Sequence, residues 1–123
     1  MARVLIAEDE PHILRVMSMW LQRNGHSVVE TRNGMEALEA LERESVEILI
    51  SDVHMPRMDG ISLVRAVREE RMLDIPIVIL SSSCERTKIE KDLQPHKVHV
   101  YAKPFTPSRL VAKIESLLAS VSI

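Results

Sequence analysis

The chain holds a single cysteine, Cys84. No disulfide can close within it, and no cysteine cluster can hold zinc. That usage fits a reducing compartment, and Cys84 itself reads as a small packing or surface residue. Aromatic rings are nearly absent, with Trp20, Tyr101 and Phe105 the whole set. The core must therefore be aliphatic, with seven methionines as adaptable filler. Charge of either sign is close to balanced, at a formal net of −2, which gives no electrostatic footing for nucleic acid or an anionic membrane. No apolar run approaches a membrane span, and no charged leader precedes the first strand pattern. A cytoplasmic protein is expected. Repeats, low-complexity tracts and linkers are also missing, and 123 residues suit one domain, 1–123, with a core of its own.

What is present is an alternation of two periodicities. Arg3 to Ala7 is a short apolar run that predicts a strand buried on both faces. Pro11 suits a first helical turn, and Ile13, Val16, Met17, Trp20 and Leu21 recur at helical spacing until Gly25 stops them. Ser27 to Thr31 predicts a second strand, ending in Thr31-Arg32, which reads as solvated. Asn33 with Glu36 resembles a capping box, before a helix that buries Met35, Leu38 and Leu41. Ile48 to Ser51 predicts the third strand, and Asp59-Gly60 opens a helix with Ile61, Val64 and Val67 on one side. Pro76 introduces a fourth strand, Ile77 to Leu80. A weakly patterned helix between Glu85 and Gln94 follows, anchored by Ile89 and Leu93 and ended by Pro95. Val98 to Ala102 is the fifth strand. Thr106 caps and Pro107 starts a last helix that turns Leu110, Ile114, Leu117, Leu118 and Val121 inward. Five strands alternating with helices predict an α/β fold: a parallel sheet covered on both faces.

Parallel strands bring their carboxyl ends to one edge, where ligands bind in open α/β sheets. Four of those ends are polar here: Glu8-Asp9, Asp52, Ser81 and Lys103. Singly, each has an ordinary explanation as turn, cap or surface charge. Together they suggest chemistry. Clustered carboxylates repel unless a cation joins them, and few hard oxygen ligands suit Mg²⁺, which commonly also binds phosphate. Asp52 can then act as nucleophile toward a phosphoryl group. Lys103 supplies a compact positive charge and Ser81 a hydroxyl for the phosphoryl oxygens, since positioning and electrostatics are most of what phosphoryl transfer requires.

These residues match a known pattern. The chain resembles the receiver domains of two-component response regulators, chemotaxis regulators among them, from Val4 to Leu118. The matching motifs are Glu8-Asp9, Asp52-Val53-His54-Met55-Pro56 with Met58-Asp59-Gly60, Ser81, and Lys103-Pro104-Phe105. The resemblance implies a flavodoxin-like doubly wound (βα)5 sandwich with strand order 2-1-3-4-5. It implies that Asp52 is the phosphoacceptor, taking phosphate from a sensor histidine kinase or a histidine phosphotransfer protein. Asp9, Asp52 and the backbone carbonyl of His54 would bind Mg²⁺, with Glu8 acting through a water. Ser81 would be the switch hydroxyl and Lys103 its partner at the phosphoryl group, with a cis bond before Pro104. His54 and Ser83, each two residues beyond a site residue, would tune the lifetime of the phosphoryl group. The chain would not be an enzyme toward other substrates; it would catalyse only its own Mg²⁺-dependent phosphorylation and dephosphorylation. Output would go to a downstream target protein or an output domain through the fourth helix, fifth strand and fifth helix. A phosphorylation-dependent dimer is one arrangement the resemblance allows; direct contact with nucleic acid or membrane is not expected.

Two features depart from the family. Its aromatic switch residue lies three positions before the lysine, where this chain has Val100. Tyr101 comes one residue later and so points to the opposite face of the strand, where it reads as a packing residue. A small Gly-Ala pair before the fifth strand is replaced by Pro95-His96-Lys97, so the fourth helix and its loop are expected to be shorter, shifted or mobile. Among other readings, a haloacid-dehalogenase-type phosphatase would want Asp where His54 stands. A flavodoxin-like electron carrier would want a phosphate cradle where Glu8-Asp9-Glu10 stands. A receiver-like module that binds partners without phosphorylation is the alternative that keeps the fold and drops the chemistry.

Overall fold

The structure is a computed structural model that describes residues 2–121, with the side chain of Val121 excepted. Five parallel strands, β1 (Arg3–Ala7), β2 (Ser27–Thr31), β3 (Ile48–Asp52), β4 (Ile77–Ser82) and β5 (His99–Lys103), form one sheet in the order β2-β1-β3-β4-β5. The connecting helices are α1 (Pro11–Arg23), α2 (Gly34–Arg43), α3 (Gly60–Arg65), α4 (Arg86–Asp92) and α5 (Pro107–Val121). This is the flavodoxin-like order that the alternating pattern and the motifs imply.

Side chains alternate across each strand, and two aliphatic cores follow. Leu5, Ala7, Leu49, Ile77, Ile79 and Val100 pack under α2, α3 and α4, the last through Ile89 and Leu93. Val4, Ile6, Ile48, Ile50, Val78 and Leu80 pack under α1 and α5, through Leu14, Met17, Leu21, Leu110, Val111 and Ile114. The central β3 is buried at all of its residues, Ser51 and Asp52 included. Asp52 thus stands at the end of the one strand that is buried at every residue.

Local chemistry sets the helix ends. The Glu10 carboxylate accepts from the amides of His12 and Ile13, and Gly25 takes φ 88° just after α1. Asn33 accepts from the Glu36 amide, while Glu36 reaches the amide of Arg32, one residue before the cap. Asp59 accepts from the Ser62 amide at 2.7 Å, and Thr106 caps α5 through Arg109.

Several expectations are corrected. Thr31 is buried, not solvated: its hydroxyl donates to the carbonyl of Ile6 at 2.7 Å, joining the edge strand to β1. Met35 lies outward; Leu38 is buried and Leu41 partly buried as expected, and α2 also buries Gly34, Ala37 and Ala40. On α1 the buried face includes Ser18, whose hydroxyl meets Glu30 at 2.5 Å, a polar contact that apolar periodicity does not register. After Arg65, α3 widens into a π-helix over Ala66–Glu70. Helix α4 ends at Asp92, and Pro95 does not stop it but sits inside a separate 3₁₀ turn, Gln94–His96. In α5, Leu117 and Leu118 are partly buried against the core, and the Val121 side chain lies outside the described residues. The Pro95-His96-Lys97 loop is pinned. Arg68 donates to the carbonyls of His96 at 2.8 Å, Leu73 at 2.9 Å, Ile75 at 2.8 Å and Lys97 at 3.4 Å, and Glu69 meets His96 at 3.1 Å.

Candidate functional site

Register brings the polar residues together. Ala7 pairs with Ser51, so Glu8-Asp9 leave β1 beside Asp52; Asp52 pairs with Leu80, and Ser82 pairs with Lys103. Carboxylate oxygens of Glu8, Asp9 and Asp52 lie within 4.8 Å of one another. Lys103 Nζ stands 2.7 Å from Asp52 Oδ1. Among the described residues the other Asp52 oxygen, Oδ2, has no protein hydrogen-bond donor. One oxygen of a nearly buried carboxylate is thus held by an ammonium group and the other has no protein donor.

Glu8 is 1 % exposed. Its Oε1 accepts from the Glu10 amide at 3.1 Å, while Oε2 is buried with no hydrogen-bond partner. Burial, and next the charge of Asp52, push its pKa up to about 7. An orphaned buried oxygen inside a cluster of hard donors is what a divalent cation would satisfy. The residues present therefore fit Mg²⁺, which Asp9, Asp52 and the His54 carbonyl would hold directly and Glu8 through water. Bound there, the ion would supply charge neutralisation for an incoming phosphoryl group.

The loop after β3 is shaped by backbone. Arg57 sits at φ 66°, and the Met58 amide donates across it to the Pro56 carbonyl at 2.7 Å. This is a tight three-residue turn of the kind that persists where the surroundings fix it. The Gly60 amide then donates to the Val53 carbonyl at 2.8 Å, folding the start of α3 back over Asp52.

The remaining candidates are placed as follows. Ser81 is buried at the end of β4, its hydroxyl donating to the Ser82 carbonyl at 3.2 Å rather than to Asp52. Ser83 lies exposed on the next loop, its hydroxyl 3.5 Å from the Lys103 carbonyl. His54 reaches across the mouth of the site, its Nε2 2.9 Å from both oxygens of Glu85. Glu85 also accepts from the Ser82 hydroxyl at 3.2 Å, and the His54 hydrogen bond holds its pKa below the usual carboxylate range. Sequence reasoning missed Glu85, taking it only as a helix start; an acid four residues beyond Ser81 was the signal available. Val100 and Tyr101 separate as strand alternation requires: Val100 packs with Ile89 and Leu93 under α4, and Tyr101 packs on the α5 side. The peptide bond between Lys103 and Pro104 is cis.

Comparison with known proteins gives the same answer as the geometry. A family model described as "Response regulator receiver domain" matches residues 4–115. The chain belongs to the response regulator receiver family. It is 33% identical to a "Chemotaxis protein CheY homolog" of Campylobacter jejuni, over 98% of this chain and 95% of that one. It is 28% identical to the "Alkaline phosphatase synthesis transcriptional regulatory protein PhoP" of Bacillus subtilis, over 94% of this chain but 48% of that one. The solved chemotaxis response regulator CheY4 of Vibrio cholerae superposes with a TM-score of 0.85 at 30% identity, covering 95% of this chain and 98% of that one. Receiver domains pass signals between histidine kinases and downstream effectors, and this receiver domain carries the acidic pocket compatible with Mg²⁺ and an aspartyl phosphate. Among the described residues no helix is long and apolar enough to cross a membrane.

Proposed function

We propose that this receiver domain accepts a phosphoryl group on Asp52, with Mg²⁺, from a sensor histidine kinase or a histidine phosphotransfer protein. The observation that carries the reading is the Lys103 ammonium 2.7 Å from Asp52 at the rim of the three-carboxylate cluster. Oδ2 of Asp52 forms the new bond to phosphorus while the bond from phosphorus to the donor's nitrogen or oxygen breaks. Lys103 receives the charge that develops on a phosphoryl oxygen. Ser81, whose hydroxyl needs only a rotation to leave the Ser82 carbonyl, turns to a second one. The new negative group then shifts the equilibrium of the loops that follow β3 and β4. His54 and Ser83 set how readily water reaches the aspartyl phosphate. The chain turns over no other substrate: its reactions are its own phosphorylation and dephosphorylation. Output goes to a target protein or to an output domain, with no direct contact to nucleic acid or membrane, in the cytoplasm.

The test is the intact mass after incubation with Mg²⁺ and acetyl phosphate, with Asp52→Asn alongside. One added phosphoryl group, absent in the variant and in EDTA, is expected. If neither acetyl phosphate nor beryllofluoride labels the wild-type chain, the reading falls. A receiver-like module that binds partners without phosphorylation then takes its place.

A further inference from the structure

Two helices of this chain start at a glutamate, and the two glutamates are used differently. Before α1, Glu10 has an extended backbone, φ −89° and ψ 112°, and its carboxylate accepts from the amides of His12 and Ile13 at 3.0 Å each. Before α4, Glu85 sits at φ −95° and ψ −14° and makes no such bond. Its carboxylate faces His54 Nε2, 2.9 Å from both oxygens, and accepts from the Ser82 hydroxyl at 3.2 Å. The equivalent amides at the start of α4, those of Thr87 and Lys88, have no acceptor among the described residues. First-turn amides lack partners within a helix and take a side-chain oxygen where one is offered. In α4 the oxygen on offer is held by another loop. Ile89 is the single buried residue of this helix, so little else fixes its start.

We infer that Glu85 is a two-position switch for the start of α4, set by whether Asp52 carries a phosphoryl group. In the unmodified protein His54 holds the carboxylate across the two loops. A phosphoryl group two residues before His54 adds a charge of about −1.5 to −2 and three acceptor oxygens. It attracts the imidazole N–H and repels the Glu85 carboxylate, so both effects open the same contact. Glu85 then turns ψ from −14° toward the 112° that Glu10 shows, and accepts from the amides of Thr87 and Lys88. A carboxylate there also meets the positive end of the helix. Among the described residues, His54 to Glu85 is the only hydrogen-bonded link between the loops that follow β3 and β4. It is therefore the polar connection through which a charge placed at the end of β3 can act on α4. An apolar relay lacks its moving part, because β5 presents Val100 to α4, packed with Ile89 and Leu93, and not a ring that could change place. The inference rests on the phosphorelay reading for its trigger; the His54–Glu85 contact and the two free amides belong to the unmodified chain.

Amide hydrogen exchange followed by NMR tests the switch in wild type, Glu85→Ala and His54→Ala. Each is measured with and without Mg²⁺-beryllofluoride, whose uptake fluorine NMR reports separately. In wild type, beryllofluoride is expected to slow exchange at Thr87 and Lys88 by about tenfold, as both amides gain an acceptor. Glu85→Ala should take up beryllofluoride and show no slowing. His54→Ala should exchange slowly at both amides even without beryllofluoride, since only the Ser82 hydroxyl then competes for the carboxylate. Slowing that persists in Glu85→Ala overturns the switch, and so does fast exchange in His54→Ala. Uptake by wild type without slowing removes the switch and leaves the phosphorelay reading standing. A wild-type chain that takes neither beryllofluoride nor acetyl phosphate loses the phosphorelay reading and the trigger with it, whatever His54→Ala shows.

Discussion

A Cβ atom placed on Gly60 would lie 2.2 Å from the carbonyl oxygen of Asp52. The start of α3 is therefore seated directly on the backbone of Asp52, closer than any other residue type allows. The conflict is with backbone, which cannot swing aside as a side chain would. Gly60→Ala is expected to destabilise the protein by about 3 kcal/mol, the range of overpacking at a rigid contact. It should also lower labelling by acetyl phosphate, because the loop carrying the His54 carbonyl must move with α3. Urea unfolding and intact mass check the two halves separately. A variant as stable and as readily labelled as wild type would refute the seating.

Lys103 sits between two demands. It neutralises Asp52 in the apo protein, and it competes electrostatically with a cation at the same cluster. Lys103→Met should raise the affinity for Mg²⁺ about tenfold, a modest share of what one charge exerts at such distances at an effective dielectric near 20. The same change should weaken beryllofluoride binding, since the phosphoryl-like group loses its positive partner. Calorimetric titration reads both. Mg²⁺ affinity that stays unchanged or falls would show that Lys103 does not contribute to the field at the cluster.

The pH response of the apo protein should carry the signature of Glu8. Its pKa rises from 4.5 to about 7 on folding, through burial first and the Asp52 charge second. The folded state therefore holds a proton that the unfolded chain gives up. That contribution to stability is complete below the unfolded value and is lost as pH climbs through the folded one. Without metal, the advantage of wild type over Glu8→Gln should fall by on the order of 2 kcal/mol between pH 4.5 and pH 7.5. Added Mg²⁺ should stabilise wild type increasingly over the same interval, because it competes with the proton for the same carboxylate. Thermal unfolding of both proteins, with and without Mg²⁺, decides. A difference that does not change with pH would place Glu8 outside the coupled cluster.

His54 and Glu85 join the loops that follow β3 and β4, next to Asp52 and Ser81. His54 is exposed and Glu85 partly so, and breaking such a surface pair should cost little stability. Its consequence should appear in the lifetime of the aspartyl phosphate. Glu85→Ala and His54→Ala are each expected to shift the decay rate by a similar factor, roughly threefold, and the double variant by no more than either. Decay rates equal to wild type in both single variants would reduce the contact to surface decoration.

Much of this site is legible in the sequence because strand ends are. A buried apolar run that stops at Asp52, and others that stop at Glu8, Ser81 and Lys103, need only the parallel topology to be gathered at one edge. Val100 and Tyr101 were separable for the same reason: a period of two assigns them opposite faces, and each packs on the side that period assigns. What escaped depends on contacts between segments distant in the chain. Thr31 looks like a solvated strand end until the Ile6 carbonyl beside it is seen. Glu85 gains its meaning only from His54, 31 residues earlier. Pro95 signals a helix end, but not the 3₁₀ turn that takes it in.

The loop before β5 shows how such a distant contact replaces a missing local device. Where a small Gly-Ala pair would let the chain turn freely, Pro95-His96-Lys97 turns with Lys97 at φ 54°. The Arg68 guanidinium holds that turn, donating to carbonyls on two loops that flank β4 and β5. Burial pushes its pKa down, and the charge of Asp74 partly opposes that. Arg68→Ala would leave four carbonyls short of a donor and remove the stem that fills the space between them. A loss of about 2 kcal/mol is expected, in the range for hydrogen bonds from a charged group, since three of the four bonds are part-buried. Arg68→Lys should recover little, because one ammonium cannot span carbonyls that the planar guanidinium reaches together. Hydrogen exchange should show faster opening at His96 to Val98, while the amides around Asp52 keep their protection. If Arg68→Lys restored full stability, charge alone would be the requirement, and the fork of donors would not be what holds this loop.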